Sequence, residues 1–136
     1  MQTLLSIPLN VFLLFGYNVI VFSSSPENYI PDAVVASFYI PSSKATLQIT
    51  WNILFIIIGI CILYIEILKS TRTNFQALVD HLLSLVVFVI FLIEFIVLRE
   101  MGSATFLILT LLSLIDVIAG FTVSLSTARR DIAIDA

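Results

Sequence analysis

Four long apolar stretches, separated by shorter polar segments, account for most of the chain. They cover residues 3–22, 47–68, 77–98 and 104–126. Each is close to the roughly 20 residues that a helix needs to cross the hydrocarbon of a bilayer. The pattern predicts an all-α, polytopic membrane protein: one domain over residues 1–136, built as a bundle of four transmembrane helices.

The first stretch is the least regular of the four. It has no Lys or Arg before its apolar run and no small-x-small cleavage motif after it, so we expect a retained helix and not a cleaved signal peptide. Pro8, Asn10 and Asn18 interrupt the apolar run. Such residues are tolerated in a membrane helix where neighbouring helices satisfy the polar groups.

The connection after the first stretch, residues 23–45, is long and contains three prolines. Within it, the segment 32–40 begins with an acid that follows a proline and continues as an apolar run. This pattern suits a short helix lying in the membrane interface. An extended loop with aromatic anchors is an equally open interpretation. The anchors would be Tyr29, Phe38 and Tyr39.

Basic side chains are unevenly divided between the two ends of the predicted bundle. Four crossings place Lys69, Arg72, Arg129 and Arg130 on one side, and Lys44 and Arg99 on the other. Because basic residues concentrate on the cytoplasmic side, both termini are predicted to be cytoplasmic, with a periplasmic loop at 23–45 and a cytoplasmic tail at 128–136. The four residues of the richer side are also candidate contacts for lipid headgroups or a partner.

The composition agrees with this pattern and excludes several classes of function. Of the 136 residues, 60% are hydrophobic and 11% are charged, and the mean hydropathy is +1.17. So few charged side chains could not cover the surface of a soluble domain. The net charge of -3 offers no basic surface to nucleic acid. One Cys and one His supply too few ligands for a zinc, iron–sulfur or two-histidine haem site, so we expect no cofactor and no catalysis.

Polar and ionisable residues inside the apolar stretches are the candidate functional residues, because each is costly in hydrocarbon unless it faces protein or water. At about 100° per residue, helical geometry places the polar residues of each stretch on one face. We therefore predict an intramembrane polar seam, with small residues that allow close helix packing. The candidate residues of this seam are Asn52, Glu66, Asp80, Glu94 and Asp116.

Depth separates these acids into two groups. Glu66, Asp80 and the neighbouring His81 are expected within about a turn of the cytoplasmic boundary, where a charge network is the simplest interpretation. Asp116 is roughly a dozen residues from either end of its stretch, about 15 Å from water. It either keeps its proton and donates a hydrogen bond to Asn52 or Asn10, or exchanges a proton or cation during transport.

Two segments carry a resemblance to a known family. EILKSTRTNFQALVDHLLS (66–84) and LIDVIAGFTVSLSTARRD (114–131) resemble segments of small four-helix inner-membrane proteins from alphaproteobacteria. The resemblance covers about the last two thirds of the chain. It implies a location in the cell inner membrane and no known catalytic residues.

These observations leave two hypotheses for function. The first is a non-catalytic bundle protein that assembles with itself or as an accessory subunit of a larger membrane complex, meeting its partners mainly within the lipid bilayer. The second is a small oligomeric transporter or channel that uses Asp116. The chain has no visible inverted repeat and no pair of helices broken by Gly or Pro, which weighs against transport.

Overall fold

The computed structural model describes residues 7–25, 27–70 and 75–134, and these ranges are mostly helical. They contain four α-helices, two β-strands and two one-turn 3-10 helices. The α-helices are α1 (Asn10–Phe22), α2 (Trp51–Lys69), α3 (Phe75–Val97) and α4 (Ala104–Ile134). The strands are β1 (Val34–Ile40) and β2 (Ala45–Thr50), and the 3-10 turns are Ile30–Asp32 and Arg99–Met101.

Three helical segments of the described chain are long and apolar enough to cross a membrane. They are Trp51–Lys69, Val79–Val97 and Ala104–Val123. The α1 helix is apolar but has only 13 residues, about 20 Å of helix against a hydrocarbon core of about 30 Å. The helix predicted over residues 3–22 is therefore shorter than expected at its start, and residues 3–6 lie outside the described chain.

The start of α1 follows from Pro8 and from a contact made by Leu9. Proline has no N–H, and the first N–H groups of any helix have no partner within the helix. Here the Leu9 N–H donates to the Glu66 carboxylate at 2.6 Å, while Pro8 is fully buried. The N-terminus of α1 therefore lies inside the bundle and is satisfied by α2.

The four helices pack around one apolar core. The α4 helix lies along both α2 and α3, and α1 packs against α2 and α3. The buried core side chains include Leu13, Tyr17, Phe55, Phe91, Phe106 and Leu109. Gly59 allows α2 to approach α4, since a Cβ there would lie 3.0 Å from a methyl carbon of Leu112. Many Ile, Leu and Val side chains remain exposed around the outside of the bundle, as expected of a surface that faces lipid.

The first loop forms a β-hairpin, so the all-α prediction is wrong in this region. β1 and β2 pair antiparallel, and the turn between them ends at Lys44, whose φ is 54°. In the segment 32–40, Asp32 ends a 3-10 turn and residues 34–40 form a strand, so the segment is not an interfacial helix. Residues 47–50, predicted to begin the second helix, belong to β2, because alternating polar and apolar residues there suit a strand that is paired on one side.

The end of α4 also differs from the prediction. The helix continues past residue 126 to Ile134, so the residues predicted as a tail are helical as far as the described chain extends. No Gly or Pro follows Gly120, and the chain therefore has no residue that would end the helix earlier.

Candidate functional site

Polar side chains meet in two clusters at opposite ends of the bundle, the first largely buried and the second half-buried to exposed around a buried Tyr17. We call the first the Glu66 cluster; it comprises Asn10, Glu66, Lys69, Asp80, His81, Ser84 and Asp116. The second is the Tyr17 cluster, which comprises Tyr17, Asn18, Asp32, Asn52, Glu94 and Ser103. Along α2, the 14 residues from Asn52 to Glu66 separate the clusters by about 21 Å of helix rise.

Glu66 has three close donors. Glu66 is 3% exposed. Its carboxylate accepts one hydrogen bond from the Leu9 N–H and two from Lys69 Nζ, the latter at 3.1 and 3.0 Å. The Leu9 N–H belongs to the N-terminus of α1, whose dipole favours a negative charge at that end. Glu66 is thus the best satisfied acid of the cluster.

Lys69 is shared between two helices. Its ammonium group lies 3.0 Å from Glu66 and 3.3 Å from a carboxylate oxygen of Asp80 on α3. The Lys69 side chain is only 13% exposed, and it also donates to the Ile7 carbonyl. Lys69 was predicted to lie at the cytoplasmic boundary beside the acids, in a charge network or as a lipid or partner contact; in the structure it pairs with Glu66 and Asp80.

Asp116 joins the same cluster but has only neutral donors. The Asn10 amide donates to it at 3.0 Å, and Ser84 on α3 is a second side-chain partner. Glu66 and Asp80 lie near enough for their charges to act on Asp116. The sequence placed Asp116 in a different group from Glu66 and Asp80; in the structure the three acids share one cluster. Of its two expected partners, Asn10 makes the bond and Asn52 lies in the other cluster.

Three buried atoms of the described residues have no hydrogen-bond partner: Asp80 Oδ1, His81 Nε2 and Ser113 Oγ. Buried polar groups are normally paired, so these three atoms are exceptions among the described residues. The His81 ring is held against α4 at Gly120, where a Cβ would lie 2.5 Å from Nδ1. Only glycine leaves room for the imidazole at this position.

The Tyr17 cluster ties the first loop to the helices by hydrogen bonds whose donors are hydroxyl and amide groups. The Tyr17 hydroxyl donates to Asn52 Oδ1 at 3.0 Å and lies 3.2 Å from Ser103 Oγ. The Asn52 amide in turn donates to Asp32 at 2.8 Å. Burial and the nearby Asp32 charge raise the pKa of Tyr29, which lies beside this cluster in the loop.

Glu94 has an amide partner and not a basic one. The Asn18 side chain donates to it at 2.8 Å, and Asn18 also donates to the Leu14 carbonyl of its own helix. Glu94, predicted as part of the polar seam, therefore joins α3 to α1.

An apolar layer separates the two clusters. The Tyr17 ring packs on Phe55 and Phe106 with centroid distances of 5.3 and 5.5 Å, and Phe91 lies 5.4 Å from Phe106. Leu109, like Tyr17, Phe91 and Phe106, is 0% exposed. Among the described residues, the interior of one chain therefore holds two separate polar sites with aromatic and aliphatic side chains between them.

The candidate residues thus divide between the two sites. Glu66, Asp80 and Asp116 come together, whereas Asn52 and Glu94 lie at the opposite end. Arg72 lies outside the described residues, and Arg129 and Arg130 lie in α4 in a region whose side chains are not described. Sequence reasoning did not find Asp32 and Ser103, because a loop acid and a serine just before a helix show no helical periodicity.

The Glu66 cluster combines carboxylates, an ammonium group and an imidazole, which is a set able to hold and exchange protons. The described residues contain no group of three His, Cys, Asp or Glu side chains placed to hold a metal ion. No family model, curated protein or solved structure matches this chain.

Proposed function

We propose that this chain is a non-catalytic integral membrane protein that serves as an accessory subunit of a larger membrane complex. One observation carries the proposal: the β-hairpin presents an apolar face whose outer pairs, Phe38 with Leu47 and Ile40 with Ala45, are exposed. The bundle itself is held together by its own core and two polar clusters. A feature outside that bundle, with no role in holding it together, is the natural place for contact with another subunit.

Cross-strand pairing defines the two faces of the hairpin, because residues paired across antiparallel strands lie on the same side. One face is built from the apolar pairs Ala36 with Ile49, Phe38 with Leu47, and Ile40 with Ala45. The other is built from the polar pairs Ser37 with Gln48 and Tyr39 with Thr46. On the apolar face, Phe38 is 57% exposed and Leu47 is 49% exposed.

An isolated two-stranded hairpin is only marginally stable in water, and both of its strands are unpaired on their outer edges. This hairpin is firmly attached to the bundle. The Trp51 N–H donates to the Ala33 carbonyl, and the Thr50 side chain accepts from the Ile53 N–H at the start of α2. A rigidly mounted apolar face next to the membrane surface suits a partner that supplies an apolar patch or a further strand.

We place the protein in the cell inner membrane with both termini in the cytoplasm. The resemblance to inner-membrane proteins of alphaproteobacteria supports this location. The uneven distribution of basic residues supports the orientation, with Lys69 at one end of α2 and Lys44 in the hairpin at the other. In this arrangement the hairpin is periplasmic. Arg72, Arg129 and Arg130 remain the proposed contacts for lipid headgroups or a partner.

The transporter hypothesis has less support. It needs a polar path that connects Asp116 with Asn52 and Glu94, and the buried layer of Phe91, Phe106 and Leu109 lies between them. A path would therefore have to form between copies of the chain.

The test is purification of the tagged protein from its own membrane in mild detergent, followed by native mass and identification of bound subunits. The variant Phe38→Ser with Leu47→Ser removes the apolar face of the hairpin. The matched control is Tyr39→Ser with Thr46→Ser, which alters the opposite face of the same strands. We expect a stoichiometric complex with larger subunits that the first variant loses and the control retains.

Three outcomes would contradict the proposal. They are a monomer in the wild type, a homo-oligomer without other subunits, or equal loss of partners in both hairpin variants. A homo-oligomer would direct attention to Asp116 and to flux measurements in liposomes.

A further inference from the structure

The Glu66 cluster contains more negative than positive groups. Its described titratable side chains are Glu66 and Lys69 on α2, Asp80 and His81 on α3, and Asp116 on α4; α1 contributes the neutral Asn10 and the Leu9 N–H. Three carboxyl groups therefore face one ammonium group. Buried charges are costly unless they are paired, so this arrangement needs a further positive charge.

The single ammonium group is already committed to two of the acids. Lys69 lies within 3.3 Å of both Glu66 and Asp80. Asp116, which is 5% exposed, is held by the amide of Asn10 and the hydroxyl of Ser84 and by no basic group of the described chain. The excess negative charge thus lies on the side of the cluster formed by α3 and α4.

Unpartnered atoms lie on that same side. Asp80 Oδ1 and His81 Nε2 are buried without a hydrogen-bond partner, although the two residues are only 6% and 5% exposed. The charges of Asp80, Glu66 and Lys69 all act on His81, which places the imidazole within the cluster. An acceptor oxygen and a ring nitrogen that both lack a partner are groups that an added hydrogen could satisfy.

A proton suits this excess of negative charge better than a metal ion does. No three acidic, His or Cys side chains of the described residues have the spacing of a metal site. Lys69 also fills the space between Glu66 and Asp80 where a cation would bridge them. A proton needs no ligand shell, only a carboxyl oxygen.

We propose that the Glu66 cluster binds and releases one proton at its carboxyl oxygens, exchanged with water only at the end of the bundle where α2 ends. In the binding step a hydronium ion gives its proton to a carboxylate oxygen, an O–H bond forms, and a water molecule is left. The apolar layer of Phe91, Phe106 and Leu109 blocks a proton path to the opposite end of the bundle. The site is therefore a one-sided proton store within the bundle and not a channel.

Infrared spectroscopy of the purified full-length protein, reconstituted in lipid, tests this proposal. The C=O stretch of a neutral carboxylic acid is recorded from about pH 9 to about pH 6, above the value of about 4 at which exposed Asp and Glu titrate. We expect the wild type to show this band and its growth with falling pH. Asp80→Asn and Asp116→Asn are made separately, so that one remains informative if the other does not fold.

The matched control is Glu94→Gln, which removes one of the two acids of the Tyr17 cluster and should leave the band unchanged. Loss of the band in at least one Asp variant, with its retention in Glu94→Gln, is the expected result. Absence of the band in the wild type, or its loss in Glu94→Gln, would overturn the proposal. A band that changes when sodium is replaced by choline at constant ionic strength would also overturn it, because the bound cation would then be a metal.

Discussion

The Glu66 cluster and the Tyr17 cluster are both polar and both assembled from several helices, but the first is largely buried, the second is half-buried to exposed around Tyr17, and their acids are paired differently. In the Tyr17 cluster, hydroxyl and amide groups pair with one another, and the acids Asp32 and Glu94 each accept from an amide. In the Glu66 cluster, three acids share one Lys, and two buried atoms on adjacent residues of α3 have no partner. In the Tyr17 cluster each acid has an amide donor, whereas in the Glu66 cluster the acids outnumber the cations. We therefore assign a structural role to the Tyr17 cluster and proton binding to the Glu66 cluster.

The largest effect is expected from Lys69→Met. The substitution keeps most of the apolar stem but leaves Glu66 and Asp80 buried without a cation, and breaking a buried pair in this way costs about 3–5 kcal/mol. Yield and denaturant titration in micelles should show the loss. Lys44→Met, in the exposed turn of the hairpin, is the control and should change little. The double variant Lys69→Met with Glu66→Gln should recover part of the stability, and no recovery would mean that the ion pair is not the cause.

A smaller loss is expected from Gly120→Ala. The added methyl would lie 2.5 Å from His81 Nδ1, so the ring or the helix must shift, and overpacking of this kind costs roughly 1–3 kcal/mol. Gly16→Ala is a suitable control because its methyl meets Phe55 at an ordinary 3.4 Å and alanine favours the helix. Unfolding midpoints of the two variants should move in opposite directions. Similar losses in both would argue against close packing of His81 on α4.

In the Tyr17 cluster, Tyr17→Phe should cost about 1–2 kcal/mol, because Asn52 Oδ1 loses its donor while the ring still fills the core. Tyr64→Phe provides the comparison, since Tyr64 is 65% exposed on the outside of the bundle. Denaturant titration of both variants would settle the difference. An equal loss of stability in the two variants would mean that the Tyr17 hydroxyl does not stabilise this end of the bundle.

The smallest effect is expected from Glu94→Gln, below about 1 kcal/mol, because a neutral amide oxygen can still accept from Asn18. Glu66→Gln should cost more, since Glu66 takes two contacts from an ammonium group and one from a helix N-terminus. The pair of variants compares one acid from each cluster in the same assay. If Glu94→Gln were the more damaging, the contrast between the clusters would be reversed.

Part of this site could be predicted from the residues alone. Burial of Glu66, Asp80 and Asp116 follows from their positions within long apolar stretches, and helical spacing places Asp116 and Gly120 on one face of α4. Their meeting point could not be predicted. Helical periodicity gives the face of each helix but not how far two helices slide along each other, and Asp116 was accordingly grouped apart from Glu66.

The hairpin and the start of α1 could not be predicted from the sequence either. β1 and β2 form because of hydrogen bonds between residues up to 16 positions apart, such as Val34 and Thr50, and an isolated apolar run such as 33–40 fits helix or strand equally well. The α1 helix begins at Asn10 because Leu9 finds an acceptor on α2, 57 residues away.

The apolar helices could be predicted from hydropathy, because hydropathy is a local sum over about 20 residues and needs no knowledge of neighbours. The pairing of polar groups depends on the fold. A hydrogen bond or an ion pair requires two atoms within a few ångströms, and that distance depends on how four helices and a hairpin pack together.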